Sequence, residues 1–189
     1  MGTESSAIER AGSDEAPSAR QERKLVREAQ HGSREALTGL YATHWRRAHR
    51  AAYLVVHDGA AAEDIAQDAF LAAVDALDRF DRRRPFGPWL HRIVVNRAID
   101  WGRREALRRS VDDPTSQPDA PLPPEAIGED MMGALAQLPI EQRAVVVLRH
   151  LLDYTPGEVA RMLDLPRGTV NSRLRRALDR LGALLEVER

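Results

Sequence analysis

Five arginines, Arg167, Arg173, Arg175, Arg176 and Arg180, fall in the stretch "RGTVNSRLRRALDR" against a single acid, Asp179. Thr169, Asn171 and Ser172 stand at its start. Guanidinium groups neutralise phosphates, and short hydroxyl and amide side chains at the opening of a helix reach base edges. A second constellation is acidic. At 100° per residue, Asp64, Gln67, Asp68, Leu71 and Asp75 share one helical face, so a leucine sits among aligned carboxylates. Apolar contact ringed by one sign of charge suits a basic protein surface. A third group joins the loop "RRRPFGP", with Arg83, Arg84 and Phe86, to a narrow polar sector of the following helix, Arg92, Asn96 and Arg103. Positive charge beside the ring faces of Phe86 and Trp89 suits unpaired bases, although the same rings would also fit a core that plugs the helix start.

These groups bind; they do not react. No nucleophile–base pair, phosphate-cradling loop or catalytic residue stands out. The chain has no cysteine, which excludes disulfides and Cys-based zinc sites. Its six histidines are scattered without a metal-binding helical spacing, so neither a metal nor a cofactor is expected. No apolar run reaches membrane length and the first residues lack a signal-peptide layout, so membrane insertion is not expected and the cytoplasm is the expected compartment. The net charge of −1 argues against nucleic acid only as an average. From Asp58 to Asp81 there are seven acids and one arginine; from Arg82 to Arg109 there are nine arginines and two acids. Coulomb steering sends nucleic acid to the second stretch and away from the first.

The elements that must position these residues are helical. Residues 1–21 are small, polar and charged and read as a disordered tail. Helical spacing runs from 22, with a Gly-Ser break at 32–33 and a turn at Asp58-Gly59. The next helix, 61–80, should bury Ala66, Phe70, Ala73, Val74, Leu77 and Phe80. A third, 88–108, should bury Leu90, Val94, Ala98 and Trp101. Residues 110–130 hold five prolines, six acids and no base, and read as a flexible acidic linker. From 131 to 189 helical text resumes, and the flanks of "AVVVL" favour a buried helix over a strand. Thr155, Pro156 and Glu158 have the layout of a helix start. Val159, Met162 and Leu163, then Val170, Leu174, Ala177, Leu178 and Leu181, make the inner faces of a helix-turn-helix. The expected fold is all-α: two small helical domains, 22–109 and 131–189, the second containing the helix-turn-helix.

The segments "AEDIAQDAFLAAV", "PFGPWLHRIVVNRAID" and "LAQLPIEQRAVVVLRHLLDYTPGEVARMLDLPRGTVNSRLRRAL", in that order, resemble the extracytoplasmic-function (ECF) sigma factors, bacterial initiation subunits of RNA polymerase. The resemblance implies a promoter-specificity subunit that binds core polymerase, recognises −10 and −35 elements, helps melt DNA and initiates transcription. It places Asp64, Gln67, Asp68 and Leu71, with Asp75 on the same stripe, against the β′ clamp helices. Arg83, Arg84, Phe86, Arg92, Asn96 and Arg103 would meet the −10 strand. Arg167, Thr169, Asn171, Ser172, Arg173, Arg175 and Arg176 would meet the −35 duplex, with this domain seated on the β flap. An anti-sigma factor is an implied partner. The 21-residue linker reaches at most about 70–75 Å at roughly 3.3–3.6 Å per residue. That exceeds the roughly 50–55 Å between elements one and a half turns apart. A stand-alone helix-turn-helix regulator remains the alternative. It would need a dimer interface, for which there is no long heptad run, and it leaves the acidic stripe without a use.

Overall fold

The computed structural model describes residues 18–111 and 128–187. The expected tail up to residue 17 and the centre of the acidic linker, 112–127, lie outside them. Helix α1, Ala19–Gln30, begins inside the segment expected to be a tail, because Ser18 and Gln21 form a capping box: Gln21 N donates to Ser18 Oγ (3.3 Å) and Ser18 N to Gln21 Oε1 (3.0 Å). Gly32, at φ +86°, then reverses the chain, and Ser33 caps α2, Arg34–Val56. Asp58 caps α3, Gly59–Asp75, by accepting from Ala61 N at 2.8 Å, so the Asp-Gly pair opens a helix instead of forming a free turn. A short 3-10 turn, Leu77–Arg79, leads through the arginine loop into α4, Phe86–Val111.

α2 packs on α3 and α4, and much of that seam is alanine: Ala48, Ala51, Ala52, Ala62, Ala66, Ala69 and Ala73 are all buried. Short side chains cost little rotamer entropy on burial and leave the larger Phe70, Leu90 and Val94 to fill the centre. The second unit comprises α5, Glu129–Ala136; α6, Ile140–Val146; α7, Pro156–Met162; and α8, Arg167–Val187. α5 and α4 therefore each take a little of the sequence expected to be linker. The "AVVVL" run is helical and buried. It passes into a π-helical stretch, Val147–Leu151, closed by Leu152 N donating to Val147 O at 3.0 Å. Among the described residues there is no strand, and no helix is long and apolar enough to cross a membrane.

Two residues expected inside are outside. Val74 is 44 % exposed and Leu178 is 47 % exposed. At 100° per residue Val74 lies about 125° from the centre of the buried face of α3 and Leu178 about 70° from that of α8, both at the border of an apolar sector, where a one-angle count cannot decide.

The two units also touch, which an acidic tether alone does not require. Their buried residues form one continuous apolar cluster, with α6 against α2 and α4. Arg143 of α6 is only 8 % exposed. Its guanidinium donates to Val55 O at the end of α2 (2.6 Å), and to Ala136 O (2.6 Å) and Leu138 O (3.0 Å) at the end of α5. One cation thereby satisfies carbonyls at two helix C-termini, where the helix dipoles favour positive charge. Burial pulls Arg143 down to about 10, which leaves it charged at neutral pH.

Burial, with Arg143 as a second cause, pulls His57 down to about 4. Burial also pulls His91 down to about 4, helped by His44 and Arg47, and His91 Nδ1 shares a 2.7 Å hydrogen bond with the Tyr154 hydroxyl of the second unit. Both folded values lie below the ordinary 6.5, so the stability these neutral rings contribute is present above pH 6.5 and is lost as pH falls toward 4. Urea denaturation at pH 5 should show a loss of about 2 kcal/mol per histidine relative to pH 7. His57→Asn should flatten that slope, and an unchanged slope would remove His57 from the account.

Candidate nucleic-acid and protein interfaces

The acidic stripe is one exposed face of α3. Asp64, Gln67, Asp68, Leu71 and Asp75 all reach solvent, and Leu71 is 64 % exposed. Gln67 Nε2 donates to Glu63 Oε1 (3.1 Å), and Asp68 stands 3.8 Å from Arg97 of α4. Val74 extends the apolar centre of this stripe. Tyr41, also exposed, stacks on Trp45 at 4.9 Å and packs against Phe70 at 5.0 Å. The sequence reading missed Val74 and Tyr41 as surface. The signal for Tyr41 is an aromatic residue on α2 between the buried Leu40 and His44.

The arginine loop is anchored at both ends. Gln30 Nε2 of α1 donates to Leu77 O (2.8 Å) and Phe80 O (3.0 Å). At the other end, Phe86 N at the start of α4 donates to the Glu22 carboxylate (2.8 Å), which also lies 3.2 Å from His44 Nε2. The His44 hydrogen bond and the helix N-terminus hold the Glu22 carboxyl below the usual carboxylate range despite its burial. Between these anchors Asp81 accepts from Arg83 N (3.0 Å) and Arg83 Nε (3.1 Å). Arg83 is therefore exposed but already engaged with a carboxylate, and Arg84 is exposed beside it.

Phe86 is a correction. At 3 % exposed it is core, packed against Phe80 (5.9 Å), Trp89 (5.6 Å) and His44 (5.1 Å), and it offers no free face to a base. The apolar volume between α1 and α4 needs filling where the loop enters, and a phenylalanine at the first helical position fills it. Trp89 is half-buried in the same cluster, 4.5 Å from Phe80.

On α4, Arg92 is exposed, whereas Asn96 and Arg103 meet the second unit. Asn96 Nδ2 donates to Arg92 O (2.8 Å) and to Met162 O at the end of α7 (3.0 Å). Arg103 Nε donates to Glu141 Oε1 of α6 at 3.0 Å.

In the second unit the capping box forms as the sequence predicts: Glu158 N donates to Thr155 Oγ1 (3.3 Å) and Thr155 N to Glu158 Oε2 (2.8 Å). The turn to α8 passes through Asp164 at φ +53°, and Pro166 O accepts the first helical hydrogen bonds from Thr169 and Val170. Val170, Leu174, Ala177 and Leu181 are buried against α5, α6 and α7. This leaves Arg167, Asn171, Arg175 and Arg176 on the open side. Thr169, Ser172 and Arg173 are half-buried at its edge, where Ser172 Oγ donates to Thr169 O (3.0 Å) and spends its proton on the helix. Among the described residues no group of His, Asp or Glu could hold a metal ion.

Comparison with known proteins agrees with this division. Residues 40–108 match the family described as Sigma-70 region 2, and residues 128–181 match Sigma-70, region 4. The chain is 38 % identical over 162 residues to the ECF RNA polymerase sigma factor SigM of Mycobacterium tuberculosis, covering 82 % of this chain and 79 % of that one. It is 31 % identical over 173 residues to the RNA polymerase sigma factor NccH of Alcaligenes xylosoxydans xylosoxydans, covering 86 % and 93 %. Among solved structures, CnrH in complex with the cytosolic domain of CnrY superposes with a TM-score of 0.65 at 29 % identity, over 89 % of this chain and 99 % of that one. The sigma factor RpoE of Bartonella quintana, solved with the anti-sigma factor NepR, shares the fold at a TM-score of 0.68 and 24 % identity, over 80 % and 98 %. With both regions matched in order, and an acidic face and a basic helix-turn-helix on separate units, the chain belongs to the ECF sigma factors and is a promoter-specificity subunit of RNA polymerase, not a stand-alone regulator.

Proposed function

We propose that α3 docks the chain on the clamp helices of core polymerase, that α4 and its loop engage the −10 strand, and that α8 enters the major groove of the −35 element. The observation that carries this reading is the exposed Leu71–Val74 patch bordered by Asp64, Asp68 and Asp75, on a unit distinct from the open arginine face of α8. A protein partner covers the first and a phosphate backbone the second. The subunit contributes binding and strand separation, with polymerase supplying the chemistry. Because CnrH, which this chain resembles in fold and sequence, is seen with the cytosolic domain of CnrY, a protein regulator of the anti-sigma kind is a further partner.

Run-off transcription with core polymerase on a library of random promoters tests the whole reading. Defined start sites are expected with the chain and absent without it; no start site at any sequence would overturn it. For α8, Arg176→Ala should weaken binding to a selected −35 duplex by about 1–3 kcal/mol if the guanidinium makes a bidentate base contact. It should also lower the slope of log affinity against log salt by about one if it instead holds a phosphate. A change in neither would mark Arg176 as a bystander.

A further inference from the structure

The arginine loop, 81–85, is exposed along its whole length. Within it, Arg84 N donates to Asp81 O (2.9 Å), and Asp81 Oδ1 accepts from Arg83 N (3.0 Å) and Arg83 Nε (3.1 Å). A local turn of this kind fixes the shape of the loop tip but not where the tip points. That is decided where the chain leaves the core at Phe80 and re-enters it at Phe86, both of them buried.

One helix holds both points. At the exit, Gln30 Nε2 donates to Leu77 O (2.8 Å) and Phe80 O (3.0 Å). At the re-entry, Glu22 Oε1 accepts from Phe86 N (2.8 Å), while its other oxygen, Oε2, lies 3.2 Å from His44 Nε2. With its two oxygens on two different helices, the carboxylate has a fixed orientation. A Cβ on Gly87 would stand 3.3 Å from His44 Cε1, so the first turn of α4 lies directly on that ring. α1, α2 and α4 therefore meet at Glu22, which caps α4 from another helix.

The spacing of the two anchors sets a length. Glu22 and Gln30 are eight residues apart on α1, about 12 Å along its axis and about 80° apart around it. Val26 stands midway, 2 % exposed, and pins the same face to the core. The backbone from Phe80 to Phe86 could extend to about 20–22 Å at 3.3–3.6 Å per residue. Chain with that much slack can take many poses, and a rod of fixed length between its ends selects among them. α1 precedes residues 40–108, the part that matches Sigma-70 region 2.

We propose that Glu22 and Gln30 are positioning residues for the −10 strand: α1 acts as a ruler that fixes the exit and re-entry of loop 81–85, and so sets how Arg83 and Arg84 are presented to unpaired bases. This rests on the assignment of the loop to the −10 strand. Neither anchor need touch DNA. Arginine charge alone binds any strand, whereas a loop held in one pose binds some bases better than others.

Run-off transcription by the full chain with core polymerase, on promoters that differ only in the −10 element, reads this preference. The measured quantity is the ratio of transcript from the best sequence to that from its single-base variants. Glu22→Ala with Gln30→Met removes the acceptor and the donor while keeping the length of the second side chain. The ratio should fall at least fivefold, with affinities for core polymerase and for the −35 duplex within twofold of the parent. Glu22→Gln retains an oxygen that can accept from Phe86 N, and alone it should keep at least half of the parent ratio. Val26→Ala weakens α1 without touching either anchor, so it should lower Tm yet leave the ratio within twofold. A ratio unchanged in the double variant, no better in Glu22→Gln than in Glu22→Ala, or lowered as much by Val26→Ala overturns the proposal and leaves the reading of function intact. Should the double variant not fold, Gln30→Met alone decides: the ratio should fall at least twofold, and no change overturns the proposal. If alanine at both Arg83 and Arg84 alters neither transcript yield nor the ratio, the loop is not at the −10 strand, and that assignment falls together with the proposal.

Discussion

Replacing Asp64 and Asp68 together with lysine is expected to lower the affinity of the full chain for core RNA polymerase by about 100-fold or more. Measured coupling across close interfacial charge pairs begins near 1.5 kcal/mol, and two such pairs turned from attraction to repulsion exceed about 3 kcal/mol. The free chain should scarcely notice. Both carboxylates are exposed, and the one ion pair shown for them, Asp68 with Arg97 at 3.8 Å, is of the surface kind worth at most about 1 kcal/mol. Fluorescence anisotropy with labelled protein, alongside thermal melting of the same sample, separates the two effects. An affinity within threefold of the parent chain would remove α3 from the polymerase interface. The reversal leaves α8 untouched, so binding to a −35 duplex by the same variant should be unaltered. Leu71→Ser tests the apolar half of the contact without any change of charge.

The second large effect concerns stability. Arg143→Met keeps a long, flexible side chain but strips the donors from Val55 O, Ala136 O and Leu138 O. Hydrogen bonds to a charged group contribute about 1.5–3 kcal/mol each, and orphaned buried carbonyls cost more than the lost bonds alone suggest. Release of the cation from burial offsets part of this, as its lowered value of about 10 indicates. A net loss of about 2–4 kcal/mol is expected, which for a chain of this size is a fall in Tm of about 4–16 °C at 2–4 °C per kcal/mol. Arg143→Lys should recover less than half of it, because one ammonium nitrogen cannot reproduce a fork that reaches carbonyls on two helices. A loss below about 0.5 kcal/mol would mean that water replaces the guanidinium and that the seam holds by apolar contact alone.

What the sequence revealed and what it hid follow from the range of the forces concerned. Thr155, Pro156 and Glu158 act on one another within a single turn, and their capping box is visible in the text and present in the fold. The same holds for the alternation of charge between α3 and α4, and for the arginine face of α8. Phe86 was ambiguous because a ring beside a loop arginine serves a base or a core equally well; only the positions of Phe80, Trp89 and His44 around it decide. The seam between the units was hidden for a different reason. Arginine is rarely buried, so Arg143 in "PIEQRAVVVL" reads as a solvent position, and its carbonyl partner Val55 lies 88 residues away. Gly102 reads as a weak point in a helix until Ile140 is found opposite it. The positions of Asp64, Gln67, Asp68, Leu71 and Asp75 needed only helical geometry, which is why those five were legible, whereas Val74 beside them, at the border of the apolar sector, was not.

The π-helical stretch at Val147–Leu151 carries one more residue per hydrogen-bonded ring than the α-helix before it, and it stands directly upstream of the helix-turn-helix. Such a ring behaves as an inserted residue. Deleting one residue there would let the backbone relax to ordinary pitch and turn everything downstream by about 100° around the α6 axis. The guanidinium comb of α8 would keep its own shape while pointing at a different compass bearing from the rest of the molecule. The bearing of the α8 arginine face relative to the helices before it is thus stored as a phase offset of one amino acid.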